Sequence, residues 1–184
     1  MVAGLFAGAL VIGIVVWATF AYHRIAHFRK LAGSYWTEIE AQLKKRWSLV
    51  PNLVDLVRAH TTTEEGRLRS VETALDGSIR APGPETIAEA EETLTQALFA
   101  LFTAVDGHQE LGKIDAFREI LRALAEAEDA IQHSRKYYNL VVRDMNDAVS
   151  TFPKSAVAAI FGYGAFEFFA SEEEIRRDMK TVIV

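Results

Sequence analysis

Apolar side chains run almost unbroken at the start of the chain and then settle into a helical rhythm. From Val2 to Tyr22 the sequence reads "VAGLFAGALVIGIVVWATFAY", with no ionisable side chain before the closing tyrosine. About 20 apolar residues, each rising about 1.5 Å in a helix, match the hydrocarbon thickness of a bilayer. Residues 1–22 are therefore expected to form a single transmembrane anchor. No basic side chain precedes the run, and it exceeds the apolar core of a signal peptide, so it reads as an anchor rather than a cleaved leader.

The stretch 23–35 is a basic juxtamembrane helix carrying His23, Arg24, His27, Arg29 and Lys30. Positive charge collects on the cytoplasmic flank of a membrane helix. The N-terminus is therefore expected outside and the remainder inside, with Trp17 and Tyr22 at an interface. From Trp36 the spacing becomes Trp36, Ile39, Leu43, Arg46, Val50, Leu53, Val57, His60, an alternation of three and four. That is the seam of a bundle or coiled coil. Gly33 alone interrupts good helix-forming sequence, so the first helix is expected to run from the anchor to about His60, well clear of the bilayer.

"TTTEE" offers a capping box, Thr62 with Glu65, for a second helix with Leu68, Val71 and Leu75 on its apolar side. "APGP" (Ala81–Pro84) is the clearest loop. A third helix carries Ile87, Glu91, Leu94, Leu98, Leu101 and Val105 on one face, and "DGHQELGK" makes the next turn. The fourth has the longest pattern: Phe117, Leu121, Leu124, Glu128, Ile131, Arg135, Tyr138, Val142, Met145, Val149, Phe152, ending at Pro153. No period-two strand pattern occurs. The expected class is all-α: a transmembrane helix continuing into an antiparallel four-helix bundle over 36–153, then a C-terminal aromatic helix or tail over 154–184.

Four charges occupy seam positions: Arg46, Glu91, Glu128 and Arg135. Folding the helices back at their turns puts Arg46 level with Glu128 and Glu91, and Arg135 level with residue 39, beside Glu40. Buried carboxylates persist only when paired. The expectation is a buried polar network of Arg46, Glu91 and Glu128, with Glu40 and Arg135 as a second pair and Asn52, Asn139 and Asn146 flanking it. Such layers fix which helices meet and at what height. A cation site with Glu91 and Glu128 as ligands is the sharper alternative, weakened by the arginine in the same layer. Pro51 removes a backbone donor and frees the Trp47 carbonyl, so a kink is expected there, with the Asn52 amide able to reach that carbonyl.

Composition narrows the chemistry. Zero cysteines exclude disulfides and thiolate sites, and a net charge of −5 is a poor footprint for nucleic acid. Di-iron carboxylate bundles need Glu-x-x-His pairs. Three residues before His23, His27, His60, His108 and His133 stand Phe20, Arg24, Val57, Val105 and Ala130, none of them acidic. There is no zinc-protease motif, nucleophile elbow, phosphate loop or dinucleotide fingerprint. "DGHQE" reads as a solvated loop, while "SEEE" (Ser171–Glu174) is an example of the acidic cluster without a paired arginine that a cation sensor would need. No enzyme activity and no cofactor is expected.

The stretch "YWTEIEAQLKKRWSLVPNLVDLV" resembles the signature of the LemA family: an aromatic, acidic-x-acidic, a leucine, a basic cluster, then Pro-Asn-Leu-Val. "AEETLTQAL" resembles that family's third-helix motif. "AEDAIQHSRKYYNLVVRDMNDAVSTFP" resembles its fourth, through Glu128, Ile131, Arg135, Tyr138, Asn139, Asn146, Phe152 and Pro153, and "AVAAIFGY" resembles the family's next segment. Matches cover roughly 22–165. "GHQELGK" lacks the proline usual in that turn, His23 replaces a common asparagine, and the tail after Tyr163 diverges. The resemblance implies a single-pass anchor, an antiparallel four-helix bundle, a bacterial envelope location with the N-terminus outside, and no established catalytic residue. One branch of the family is associated with magnetosome membranes.

The functional expectation is a non-enzymatic scaffold on the cytoplasmic face of the bacterial inner membrane, contacting the lipid bilayer and self-associating as a homo-oligomer or docking a membrane protein. The alternative is a regulatory, sensory or adaptor module for a membrane protease or transporter. Phe161, Tyr163, Phe166, Phe168 and Phe169, with Arg24, Arg29 and Lys30, are the candidate contacts with lipid or partner. The aromatic tail can equally pack on its own bundle.

Overall fold

The computed structural model describes residues 2–61, 63–106 and 108–170. Six helices occur in the order α1 (Val2–His60), α2 (Glu65–Arg80), α3 (Pro84–Val105), α4 (Gln109–Gly112), α5 (Asp115–Ser150) and α6 (Lys154–Ile160). No strand occurs among the described residues. The chain divides into two compact units, Met1–Trp36 with Tyr137–Phe166 and Thr37–Lys136 with Glu167–Val184.

The second unit holds the larger core. Val50, Leu53, Val54 and Val57 of α1 join Leu68, Val71 and Leu75 of α2, Leu94, Leu98, Leu101 and Val105 of α3, and Phe117 and Leu124 of α5. The seam on α1 is continuous, since Ile39, Leu43, Val50, Leu53 and Val57 are all fully buried. Pro51 lies within α1 without ending it. The Asn52 amide donates to the Ser48 carbonyl at 3.4 Å, one residue beyond the carbonyl that Pro51 frees.

The loop before α3 falls where the pattern puts it, and two other turns differ. α2 begins at Glu65, two residues later than a cap at Thr62 would start it, and Thr62 lies outside the described residues. Arg58 ties the end of α1 to α2 by donating to Glu65 at 3.3 Å and Glu72 at 3.0 Å. The bond from Arg58, partly opposed by desolvation, holds the Glu65 carboxyl below its ordinary value. Gly83 caps α3, with Pro84 at the first helical position and the Gly83 N–H donating to Thr86 Oγ1 at 3.1 Å. A Cβ at Gly83 would stand 2.8 Å from Glu167 Oε2, the end of a flexible side chain that would have to swing aside. The polar turn before α5 contains the single-turn helix α4, pinned by buried Leu111.

The stripe on α5 is centred differently from the seam that the spacing suggests. Phe117, Leu124, Ala127, Ile131, Ser134, Tyr138, Val142, Met145 and Ala148 are its buried positions. Ala127 and Ser134 thus occupy the centre, while Glu128 and Arg135 flank it. Short side chains let neighbouring helices close in, and long charged ones reach round the edge with their heads near water. Phe152 does not extend the stripe: α5 ends at Ser150, and Phe152 is 81% exposed.

The first unit has its own small core of Ile25, Met145, Ala148 and Ala158, with Phe28, Val149, Tyr163 and Phe166 packed against it. Tyr35 stacks on Tyr137 at 5.7 Å, and Trp36 tilts against Tyr138 at 5.6 Å. The aromatic tail comes after α6, whose own sequence, "KSAVAAI", carries no aromatic residue. Asn146 fastens it: Nδ2 donates to the Phe166 carbonyl at 2.9 Å and Oδ1 accepts from the Phe166 N–H at 2.8 Å.

Ala127 is fully buried and Ala125, on the same helix, is exposed. Ala127→Leu should destabilise the protein by about 1–3 kcal/mol through overpacking. Ala125→Leu should stay within about 0.5 kcal/mol. Chemical denaturation of the detergent-solubilised protein compares the two, and equal losses would refute this placement of the α5 stripe.

Candidate functional site

Arg46 interrupts the apolar spine of α1 and is 5% exposed. A guanidinium there needs partners, because desolvating it unpaired costs several kcal/mol. It finds them on two other helices. Nη1 donates to Glu91 Oε2 of α3 at 2.9 Å and to Glu128 Oε2 of α5 at 2.7 Å, and Nη2 donates to Thr95 Oγ1 of α3 at 2.8 Å. The remaining carboxylate oxygens are also engaged. Trp47 Nε1 donates to Glu91 Oε1 at 2.6 Å, and Gln132 Nε2 donates to Glu128 Oε1 at 2.8 Å. The Thr95 hydroxyl donates to the Glu91 carbonyl at 2.9 Å.

The layer holds one cation and two carboxylates. Glu91 is deeply buried, its side chain 7% exposed, whereas that of Glu128 is 34% exposed. Water can therefore share the surplus negative charge at Glu128 and not at Glu91. With Arg46, Trp47 and Gln132 on their oxygens, the two acids present no open pair of ligands to a cation. Among the described residues no group of three or more His, Asp or Glu is arranged to hold a metal ion.

The other positions singled out in the sequence are distributed over both units. Glu40 sits 3.8 Å from Lys44 within α1, and Arg135 donates to Gln132 at 3.4 Å within α5. Asn139 is half-buried. Of the tail aromatics, Phe169 is only 2% exposed and Phe168 is half-buried, while Tyr163 and Phe166 pack on the small core of the first unit. Within the first unit the Asn146 clamp fastens the segment at Phe166, and Phe161 stays 56% exposed. The Arg29 guanidinium lies 5.7 Å from the Tyr163 ring, and that phenol is raised above its ordinary pKa chiefly by a hydrogen bond with Tyr22. Arg24, Arg29 and Lys30 are exposed, and "SEEE" lies outside the described residues.

Thr95 and Gln132 were missed in the sequence, although each stands four residues after a seam carboxylate and so shares its face. Trp47 neighbours Arg46, but its indole reveals no partner by periodicity. The Asn146 clamp had no signal, because its target lies twenty residues on in an aperiodic segment.

A sequence model of the LemA family matches residues 35–182. That span contains Arg46, Glu91, Glu128 and the Asn146 clamp. The chain belongs to the LemA family. Magnetosome protein MamQ 1 and magnetosome protein MamQ 2 of Paramagnetospirillum magneticum are each 23% identical to it over 156 residues, covering 71% of this chain. The chain spans 57% of the length of each of these curated relatives. α1 of this LemA protein is long and apolar enough to cross a membrane.

Arg46→Met leaves the buried Glu91 carboxylate with Trp47 alone and should cost about 3–5 kcal/mol. Glu128→Gln, at the wetter end, should cost only about 1 kcal/mol. Adding Glu91→Leu to Arg46→Met should recover part of the first loss. Denaturant titration of the four proteins decides the matter, and equal small losses for both single variants would show that the layer is not electrostatically coupled.

Proposed function

We propose that this LemA protein is a membrane-anchored helical scaffold without catalytic activity. On this reading residues 1–22 span the bacterial inner membrane with the N-terminus outside. An antiparallel four-helix bundle, built from α1, α2, α3 and α5, stands on the cytoplasmic side. The observation that carries the reading is the double character of α1. Its first part exposes Leu5, Phe6, Leu10, Ile12 and Phe20, each at 66% or more, while Ile39 to Val57 form a fully buried spine of the same helix. An exposed apolar stretch of that length needs lipid, and a helix that continues from it into a core delivers a folded domain to the membrane surface. The exposed basic residues from His23 to Lys30 support the cytoplasmic assignment by the positive-inside rule.

The polar layer supports this reading. Its carboxylates are hydrogen-bonded to partners on α1 and α5, which favours a role in aligning helices. Self-association of such anchored domains is the functional output we assign.

Two single-cysteine populations of this cysteine-free chain, labelled with donor and acceptor dyes at Gln96→Cys on exposed α3 and mixed in vesicles, test it. Energy transfer should rise with protein-to-lipid ratio and fall on dilution with unlabelled protein. Transfer at the random-mixing level at every ratio would discard self-association in favour of an adaptor acting as a monomer.

A further inference from the structure

Three large apolar side chains at the two ends of α6 are left outside by the fold. Phe152 is 81% exposed, Ile160 77% and Phe161 56%. Phe152 stands two residues before α6, Ile160 is its last residue and Phe161 its C-cap, so the three bracket a helix whose seven residues span only about 10 Å. Between them Val157 and Ala158 are buried, which seats α6 on its own unit and leaves its two ends outward. A soluble surface rarely leaves apolar side chains of this size together.

A ring contact locates this element. Phe161 lies 4.6 Å, centroid to centroid, from Tyr22, and Tyr163 lies 6.0 Å from it. Tyr22 is the last residue of the uncharged apolar run. If that run spans the bilayer, Tyr22 is at the headgroup level, and the end of α6 is beside it. On the α1 side the surrounding charge is basic: His23, Arg24, His27, Arg29 and Lys30 are exposed just beyond Tyr22, and Lys154 opens α6, while Asp144 and Asp147 are exposed on the last turns of α5. Arg29 is held against Tyr163, which ties the basic flank to the tail.

We infer that Phe152, Ile160 and Phe161 form a second membrane foot, immersed at the boundary of headgroups and acyl chains, with the neighbouring basic residues on anionic headgroups. The chemistry is that of an interfacial anchor, an apolar wedge rimmed by cations. It gives the polypeptide two points of attachment and distinguishes the outward residues from Tyr163, Phe166 and Phe169, which pack within the chain. The inference rests on the reading that residues 1–22 cross the membrane.

Because the chain has no cysteine, single nitroxide labels can be placed in the full-length protein. Ile160→Cys and Phe152→Cys report the foot, Ile12→Cys the anchor and Gln96→Cys a water-exposed reference. The proteins are reconstituted in vesicles of phosphatidylethanolamine with phosphatidylglycerol, and collisions with oxygen and with a water-soluble nickel chelate are compared. The labels at 152 and 160 should collide with oxygen in preference to nickel several-fold more than the label at 96, and this preference should weaken in neutral phosphatidylcholine vesicles. A lipid-like label at 12 with water-like labels at 152 and 160 overturns the foot and leaves the anchor intact. A water-like label at 12 overturns the anchor itself. Labels at 152 and 160 shielded from both reagents would mean a second copy covers them, which also overturns the foot. Equal immersion in neutral vesicles overturns the assignment to anionic headgroups.

Discussion

A guanidinium buried among aliphatic side chains must meet acceptors within hydrogen-bond reach, and every one of its neighbours is constrained by that need. Arg46 is one residue of a spine that is otherwise Ile39, Leu43, Val50, Leu53 and Val57. An apolar spine tolerates sliding by a helical turn, because one leucine layer packs much like the next. Arg46 does not, since a slide of one turn, about 5.4 Å, removes it from both Glu91 and Glu128. Two helices are thereby set in height against α1 by a single side chain. Replacing a buried ion pair by hydrophobic residues is often neutral or stabilising, so the physical value of such a layer lies in specificity more than in stability.

The same helix that carries Arg46 begins with residues no aqueous protein would leave exposed. Val2 to Phe20 present their side chains outward almost throughout, whereas Ala21, Ile25 and Ala32 are buried among neighbours. The change in environment occurs where the charge appears, from Tyr22 to Lys30. On the proposed membrane-spanning reading, lipid as solvent, aromatic side chains at its edge and cations beyond that edge account for the sequence order.

The helices and their apolar faces were legible because a period near 3.6 is a direct consequence of backbone geometry. α1, α3 and most of α5 keep to it closely, and the seam charges stood out as exceptions to it. What periodicity resolves poorly is the centre of a stripe. On α5 the pattern favoured the longer residues Glu128 and Arg135, while Ala127 and Ser134 lie at the middle, because small residues register weakly on a hydrophobicity pattern yet permit the closest approach. The tail was unreadable for a different reason. An extended segment held by one asparagine side chain has no repeat to detect, and its inward and outward aromatics look alike in sequence.

The central claim is that the Arg46 layer selects one register among several of similar stability. Distances between nitroxides at Lys44→Cys on α1, Gln96→Cys on α3 and Ala125→Cys on α5, taken in pairs, test it in the native protein and in the Arg46→Met, Glu91→Leu, Glu128→Leu variant. The account predicts one narrow distance per pair in the native layer. In the apolar layer it predicts broadened or multiple distances, with stability kept or increased. A single narrow distance, unchanged in the apolar variant, would show that the hydrophobic spine alone sets the register and would contradict the account.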